Sequence, residues 1–522
     1  MTIQEATKWA TAFLKEDISS SNISYLVQYG KVKKYGDNGT TKIALEDLKK
    51  YYMSYRGKRE VDWKKILGND LNWGLSFDHL RERDTTKHVH RLHPYKGKFI
   101  PQLVEYFLDT HTDDFKKQVF FQKGDIVLDP FLGSGTTLVQ ANELGIHGIG
   151  IDVSRFNCVV AGCKVQTYNL EKLEEAIEAM KKTVAHLEDD AHIQAFEKEL
   201  LAELSVFNAR HFPSPQFKYK VYRKEIEEES YAQTKERMFL PVYQALLKKY
   251  KIQIQHRTRG SFLDIWYLDS VRREIDAMFA FVKKQPDRNI KELLAVILSR
   301  TARSCRATTH SDLATLKEPQ RTTYYCFKHK KICKPLFSLR KMLEWYATDT
   351  LTRIRCFSSI KTPSLHCIIS GDSRSADIAT LVKAHAPSLA PIFKEQGVRG
   401  IFSSPPYVGQ IDYHEQHAYA YDLFGFERKD ALEIGPLCKG QTQEARTSYT
   451  EGIAAVLNNC KRCLTKDYDV FLVANDKWNL YPTIAEEAGM KIVNTFKRPV
   501  LNRTERDRNP YAETIFHMKE YR

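Results

Sequence analysis

The segment Ile126-Val127-Leu128 ends in Asp129-Pro130-Phe131-Leu132-Gly133-Ser134-Gly135-Thr136-Thr137 and runs into the helix-prone Leu138-Val139-Gln140-Ala141. A strand, a glycine turn and a helix in that order let backbone N–H groups approach a ligand closely. Gly135 is followed by Thr136, where a phosphate loop needs lysine, which argues against a nucleotide triphosphatase. Gly133 and Gly135 also lack the third glycine of a dinucleotide fingerprint. A second apolar run, Gly148-Ile149-Gly150-Ile151, ends at Asp152, 23 residues after Asp129. A carboxylate at the tip of a second parallel strand can grip a ribose diol through two charge-assisted hydrogen bonds. The competing reading of Asp152 is a cap for the next helix. Together with the glycine loop, it reads as part of an adenosyl-ligand site.

Far downstream lies Gly400-Ile401-Phe402-Ser403-Ser404-Pro405-Pro406-Tyr407. Two prolines fix the backbone after a strand, remove two donors and leave the carbonyls near Ser404 and Pro405 as outward acceptors. Such a grip suits an amino group. Tyr407 then offers an aromatic face for an extruded base. An exocyclic amine is a poor nucleophile because its lone pair is delocalised into the ring. Hydrogen bonds that it donates to the Ser404 hydroxyl and the Pro405 carbonyl strengthen as positive charge develops on nitrogen. The Pro-Cys motif of carbon-5 cytosine chemistry is absent from this position.

With these motifs the chain resembles the DNA amino-methyltransferases of bacterial restriction-modification systems. The resemblance implies S-adenosyl-L-methionine as cofactor and double-stranded DNA as partner, and admits a cognate restriction endonuclease. It places Phe99 and Pro101 on the cofactor side before the first strand. It assigns Asp129, Pro130, Phe131, Gly133, Gly135 and Thr136 to the methionine-binding loop, Asp152 to the ribose and Asp372 to the adenine ring. Ser404, Pro405, Pro406 and Tyr407 match the catalytic tetrapeptide. Serine at the first position is typical of cytosine-N4 members, where adenine-N6 members carry Asp or Asn, so cytosine N4 is favoured over adenine N6. A tRNA guanine-N2 methyltransferase and a catalytically silent nucleic-acid-binding protein are the other readings. One departure stands out: roughly 200 residues separate Asp152 from Asp372, ahead of the position where family members usually carry a recognition insert.

The elements that must hold these residues are legible in outline. The fold expected is α/β, a Rossmann-like methyltransferase sheet with a terminal antiparallel hairpin, a largely helical insert and a small N-terminal winged-helix-like module. The module (1–60) rests on helical spacing in Thr7–Leu14 and Asn22–Tyr29, with Ser20-Ser21-Asn22 as cap. An Asn38-Gly39 turn then divides the β-prone stretch from Lys31 to Leu45, with Lys31, Lys33 and Lys34 leading into the wing. Residues 85–168 and 363–522 form the two halves of the methyltransferase domain, the second with strands near Leu365 and over Gly400–Ser404, Asp469–Ala474, Lys491–Lys497 and Glu513–Met518. The loop Arg503–Arg508 closes its hairpin. The insert (169–362) opens with Leu173, Ile177, Met180, Val184 and Leu187 at helical spacing, a core stripe.

The net charge of +15 over 522 residues calls for an acidic partner. From Arg300 to Lys361 there are 14 Lys/Arg against 4 Asp/Glu, interleaved with Tyr324, Tyr325, Phe327, Trp345 and Tyr346, a mixture suited to a polyanion with stackable bases. No apolar run approaches the ~18 residues of a membrane span, so a cytoplasmic, DNA-associated protein is expected. The ten cysteines read as buried thiols. Within the basic stretch, Cys326-x-x-His329-x-x-x-Cys333 has Cys305 and His310 upstream. Zinc takes four ligands at paired short spacings and only one such pair is visible, so no metal is assigned.

Overall fold

The computed structural model describes residues 1–15, 17–28, 31–35, 41–187, 191–254, 259–310, 316–501 and 509–521. Its centre is a seven-stranded sheet of β1 (Ile126–Asp129), β2 (His147–Asp152), β3 (His366–Ser370), β4 (Val398–Ser403), β5 (Leu464–Ala474), β6 (Met490–Pro499) and β7 (Ala512–Glu520). The spatial order is β6-β7-β5-β4-β1-β2-β3. Strands β1 to β5 pair in parallel, and β7 runs antiparallel to both β5 and β6. The chain builds outward from β1 to β3 and then returns to the other side of β1 as β4. The crevice between β1 and β4 is thus the point where strand order reverses, the usual ligand position in an open α/β sheet.

Strand patterning explains why both faces are covered. Leu128, Ile401, Val470 and Leu472 point into one apolar core, where the helices Gln443–Lys461 and Ile378–His385 pack. Their neighbours Val127, Phe402, Phe471 and Val473 alternate into the other, beneath the helix Pro101–Leu108. A strand buried on both faces reads as a continuous apolar run rather than as an alternation. The short strands β1 and β4 have that character.

The stretch between β2 and β3 is mainly helical. It includes Arg155–Val165, Leu170–Leu187, Ala191–His211, Glu228–Lys249, Asp269–Lys283, Arg288–Ser304 and Arg340–Ser358, together with a small antiparallel pair, Tyr324–Cys326 with Lys331–Cys333. The stripe Leu173, Ile177, Met180 and Val184 is fully buried there, whereas Leu187 is exposed at 39%.

At the N-terminus, helices Ile3–Leu14 and Ser20–Gln28 precede a two-residue ladder of Lys34–Tyr35 with Lys42–Ile43, and two further helices follow. The second helix starts earlier than its sequence suggests. Ser19, not the Ser20-Ser21-Asn22 run, supplies the cap, because its hydroxyl accepts from the Asn22 amide at 3.2 Å while Asn22 Oδ1 accepts from the Ser19 amide at 3.1 Å. Lys31 is not a free wing charge: its ammonium sits 2.5 Å from Asp78 with both side chains buried. The Asn38-Gly39 turn and the Arg503–Arg508 loop lie outside the described residues. No helix among the described residues is long and apolar enough to cross a membrane.

Candidate active site

Three strand ends converge on one cleft. The glycine loop after β1, Asp152 at the tip of β2 and Ser404 after β4 line it, joined by Asp372 after β3. The space between the walls of the cleft amounts to about 840 Å³, part of it open to solvent. Of the sequence-derived candidates, Phe99, Asp129, Pro130, Phe131, Gly133, Thr136, Asp152, Asp372, Ser404 and Pro406 line it. Gly135, Pro101, Pro405 and Tyr407 lie outside the lining. Gly135 caps the helix Thr136–Glu143 at φ 76°, and Pro101 starts the helix Pro101–Leu108. Pro405 is buried. Tyr407 is half-buried, and its hydroxyl donates to Glu513 of β7 at 2.9 Å. Burial and that carboxylate push its phenol far above the ordinary value.

Hydrogen bonds from three sides fix the loop. Asp152 Oδ2 accepts from the Gly133 amide at 2.7 Å, and its Oδ1 accepts from the Ser154 amide at 2.8 Å and from Asn157 Nδ2 at 3.2 Å. The Ser373 hydroxyl donates to the Pro130 carbonyl at 2.6 Å, and the fully buried Lys164 donates to the Ser134 carbonyl at 2.5 Å. Gly133 has φ 47°, and a Cβ there would stand 3.0 Å from the Tyr95 hydroxyl; at Gly135 it would stand 2.7 Å from Ala161 Cβ. Both positions therefore require glycine.

Asp129 joins the two halves of the site. It is fully buried and accepts from the Ser403 hydroxyl at 2.5 Å and the Phe131 amide at 3.2 Å. The serine preceding the tetrapeptide is thereby pinned to the loop that precedes the glycines. Burial pushes the carboxyls of Asp129 and Asp152 up to about 6 each, against the opposing pull of their donors. At Asp372 burial also acts upward, but the fork of Arg374, with its Nε and Nη2 2.8–3.0 Å from the carboxylate, more than reverses it.

The residues present suit a cationic adenosyl ligand. Carboxylates of Asp129 and Asp152 face the cleft, Asp152 holds one of about four lone-pair directions in reserve, and the buried Ser134 hydroxyl has no hydrogen-bond partner among the described residues. Tyr95, Asn157, Ser373, Tyr413 and Glu433 also line the cleft and escaped the sequence reading. Tyr95 had a signal, since it stands shortly before Phe99 and Pro101; Tyr413 opens the short helix Tyr413–Gln416 and Glu433 follows the turn Asp430–Leu432, segments too short to carry a periodicity. Tyr95 stacks on Tyr413 with centroids 6.1 Å apart, and forms a shared wall with a second cleft lined by Lys96, Arg303 and Arg306.

The basic stretch is less available than its charge count suggests. Arg300 pairs with Asp349 at 2.8 Å, and Lys330, Lys334 and Arg355 pair with Glu228, Glu197 and Glu174 of neighbouring helices. Lys328 and Lys331 are exposed.

A family profile described as DNA methylase matches residues 13–161. The type II methyltransferase M.MjaII of Methanocaldococcus jannaschii is 46% identical over 99% of this chain and 96% of its own. The type II methyltransferase M.BsoBI of Geobacillus stearothermophilus is 38% identical over 17% of this chain and 16% of its own, and M.MvaI of Kocuria varians is 30% identical over 26% and 28%. No solved structure matches.

Proposed function

This chain belongs to the DNA amino-methyltransferases of restriction-modification type, and from that premise we propose that it methylates the N4 amino group of a cytosine turned out of duplex DNA. The observation that carries the reading is the placement of Ser404 and Pro406 on the same cleft as Asp152 and the glycine loop. The family's methyl donor, S-adenosyl-L-methionine, supplies an electrophilic methyl group on a sulfonium centre. In this proposal Asp152 takes a ribose hydroxyl, the loop from Asp129 to Thr136 with Phe99 holds the methionine side, and Asp372 lies by the adenine. Gly135 and Pro101 act indirectly, by setting the loop and the first helix. Ser404 and the carbonyl of Pro405 accept hydrogen bonds from the amino group, orient its lone pair and favour the pyramidal nitrogen.

Serine at position 404 supports cytosine over adenine, because a carboxamide or carboxylate is the adenine-directed residue at this place. Nucleoside mass spectrometry of duplex DNA treated with the protein and donor tests the reading. N4-methylcytosine is the expected product. N6-methyladenine would replace the target base, and the absence of both would overturn the reaction.

The DNA path is proposed to follow the second cleft, where Lys96, Arg303 and Arg306 stand beside Tyr95, with the insert (169–362) and the winged-helix-like module (1–60) flanking the two catalytic halves (85–168 and 363–522). A cognate restriction endonuclease as partner belongs to the same proposal. Because Lys330 and Lys334 are paired internally, neutralising only Lys328 and Lys331 should remove whatever phosphate contacts this hairpin makes. Each lost contact should lower the slope of log affinity against log salt by about 0.9. An unchanged slope in a fluorescence-anisotropy titration would take this hairpin off the DNA path.

A further inference from the structure

The insert carries a second group of residues suited to chemistry, remote from the cleft in sequence and untouched by the mechanism. His310, Cys326, His329 and Cys333 each offer one ligand atom, and all four atoms lie within 4.8 Å of one another. Three of them belong to one small motif. Cys326 ends the strand Tyr324–Cys326, His329 stands in the connecting turn, and Cys333 ends the strand Lys331–Cys333. The fourth arrives from the segment after the helix Arg288–Ser304. The sequence shows one short-spaced set with Cys305 and His310 as upstream candidates, and the fold selects His310, 16 residues before Cys326.

We propose that these four side chains form a structural zinc site of Cys2His2 type. Zinc–sulfur and zinc–nitrogen bonds of about 2.3 and 2.0–2.1 Å at tetrahedral angles set sulfur and nitrogen about 3.6 Å apart. Cys333 Sγ lies 3.6 Å from His329 Nδ1, and Cys326 Sγ lies 3.8 Å from His310 Nδ1. Each distance is close to one edge of that tetrahedron. The turn is also shaped for a thiolate. The His329 amide donates to Cys326 Sγ at 3.4 Å, and Lys330 adopts the left-handed φ of 55° that closes the turn, with its amide donating to the Cys326 carbonyl at 2.7 Å.

The surroundings hold the ligands in place without the metal's help. The Asn208 side chain, on the helix Ala191–His211, bridges the amide and carbonyl of Ile332 at 2.9 and 3.0 Å, and the Tyr324 hydroxyl, 2.8 Å from His310 Nδ1, occupies the place on that nitrogen that the ion would take. Ligands oriented by such outer partners lose less freedom on binding. Cys305, the other upstream candidate, is buried in the insert's core and is absent from the cluster. Two thiolates and two imidazoles select zinc over calcium or magnesium, which take oxygen ligands. The ion would pin the tip bearing Phe327, Lys328 and Lys331 to the chain at His310.

Elemental analysis of the full-length protein, purified without chelator, tests the site. About one zinc per chain is expected, and Cys326→Ser with Cys333→Ser should lower it at least tenfold while Cys438→Ser, at an exposed thiol outside the cluster, retains it. Replacement of the metal in the unaltered protein by cobalt(II) should give the visible absorption of a tetrahedral thiolate site, a readout independent of how the variants fold. Less than a tenth of an equivalent in the unaltered protein, even after dialysis against stoichiometric zinc, would overturn the proposal. Full zinc in the double variant would do so too.

Discussion

Asp152→Ala should weaken S-adenosyl-L-methionine binding by about ten- to 150-fold while leaving DNA affinity in the absence of cofactor unchanged. The Gly133 and Ser154 amides and Asn157 Nδ2 occupy three acceptor directions of Asp152, so one charge-assisted hydrogen bond to the ribose remains, contributing about 1.5–3 kcal/mol, and about 1.4 kcal/mol is tenfold in affinity. The carboxylate also holds the Gly133 amide at 2.7 Å, so its removal loosens the loop as well. Asp152→Asn keeps one acceptor oxygen and should fall between the two. The pH dependence gives an independent check. Burial places the Asp152 carboxyl at about 6 in the free protein, and the bound form requires it ionised. Affinity should therefore fall as the pH drops through 6, by up to about tenfold per unit below it, with protons released on binding. Asp129 titrates in the same window, so Asp152→Asn should flatten the profile only in part. For stability the sign is opposite. A carboxyl raised from 3.8 to about 6 binds protons more tightly in the folded than in the unfolded chain, so the free protein loses stability as pH rises across that interval. Calorimetry that finds unchanged cofactor affinity in Asp152→Ala would remove Asp152 from the ribose.

The parts of the site that were legible are those tied to a local pattern. Asp129, the two glycines and Asp152 could be placed because an apolar strand followed by a glycine turn leaves few geometries, and the parallel register of β1 with β2 puts both acids at one sheet edge. The strands were located to within a few residues. Val398 to Ser403 and Leu464 to Ala474 extend beyond the expected segments because ladder pairing continues where the apolar pattern has already faded. Long-range partners were not legible. Nothing in the spacing links Ser403 to Asp129, Tyr407 to Glu513 or Lys330 to Glu228, since each pair is made by the packing of elements distant in the chain. For the same reason the spacing named both Cys305 and His310 beside the cysteine set and could not choose between them. Charge counting misled for a related cause: Glu174, Glu197 and Glu228, which pair with Arg355, Lys334 and Lys330, lie on helices outside the basic stretch.

The tetrapeptide offers the sharpest separation of roles. Ser404→Ala should lower kcat about tenfold to a hundredfold with cofactor affinity intact, because its hydroxyl is assigned to the amine as charge develops, an interaction stronger in the transition state than before it. Tyr407 is expected to behave differently. Its hydroxyl is tied to Glu513, which fixes the ring while leaving the proposed stacking to its face. Tyr407→Phe should thus retain most activity, with any loss traceable to the anchor. Tyr407→Ala should lose the stacking of the extruded base, about 1–3 kcal/mol, and so weaken the productive DNA complex about 5- to 150-fold. The two effects fall on different constants: single-turnover rates at saturating DNA report Ser404, and the DNA concentration at half-saturation reports Tyr407. The stacked pair Tyr95 and Tyr413 on the cleft wall supplies the alternative aromatic face. If Tyr407→Ala leaves both constants unchanged while Tyr95→Ala raises the half-saturating DNA concentration, the base lies against Tyr95 and the stacking role moves there.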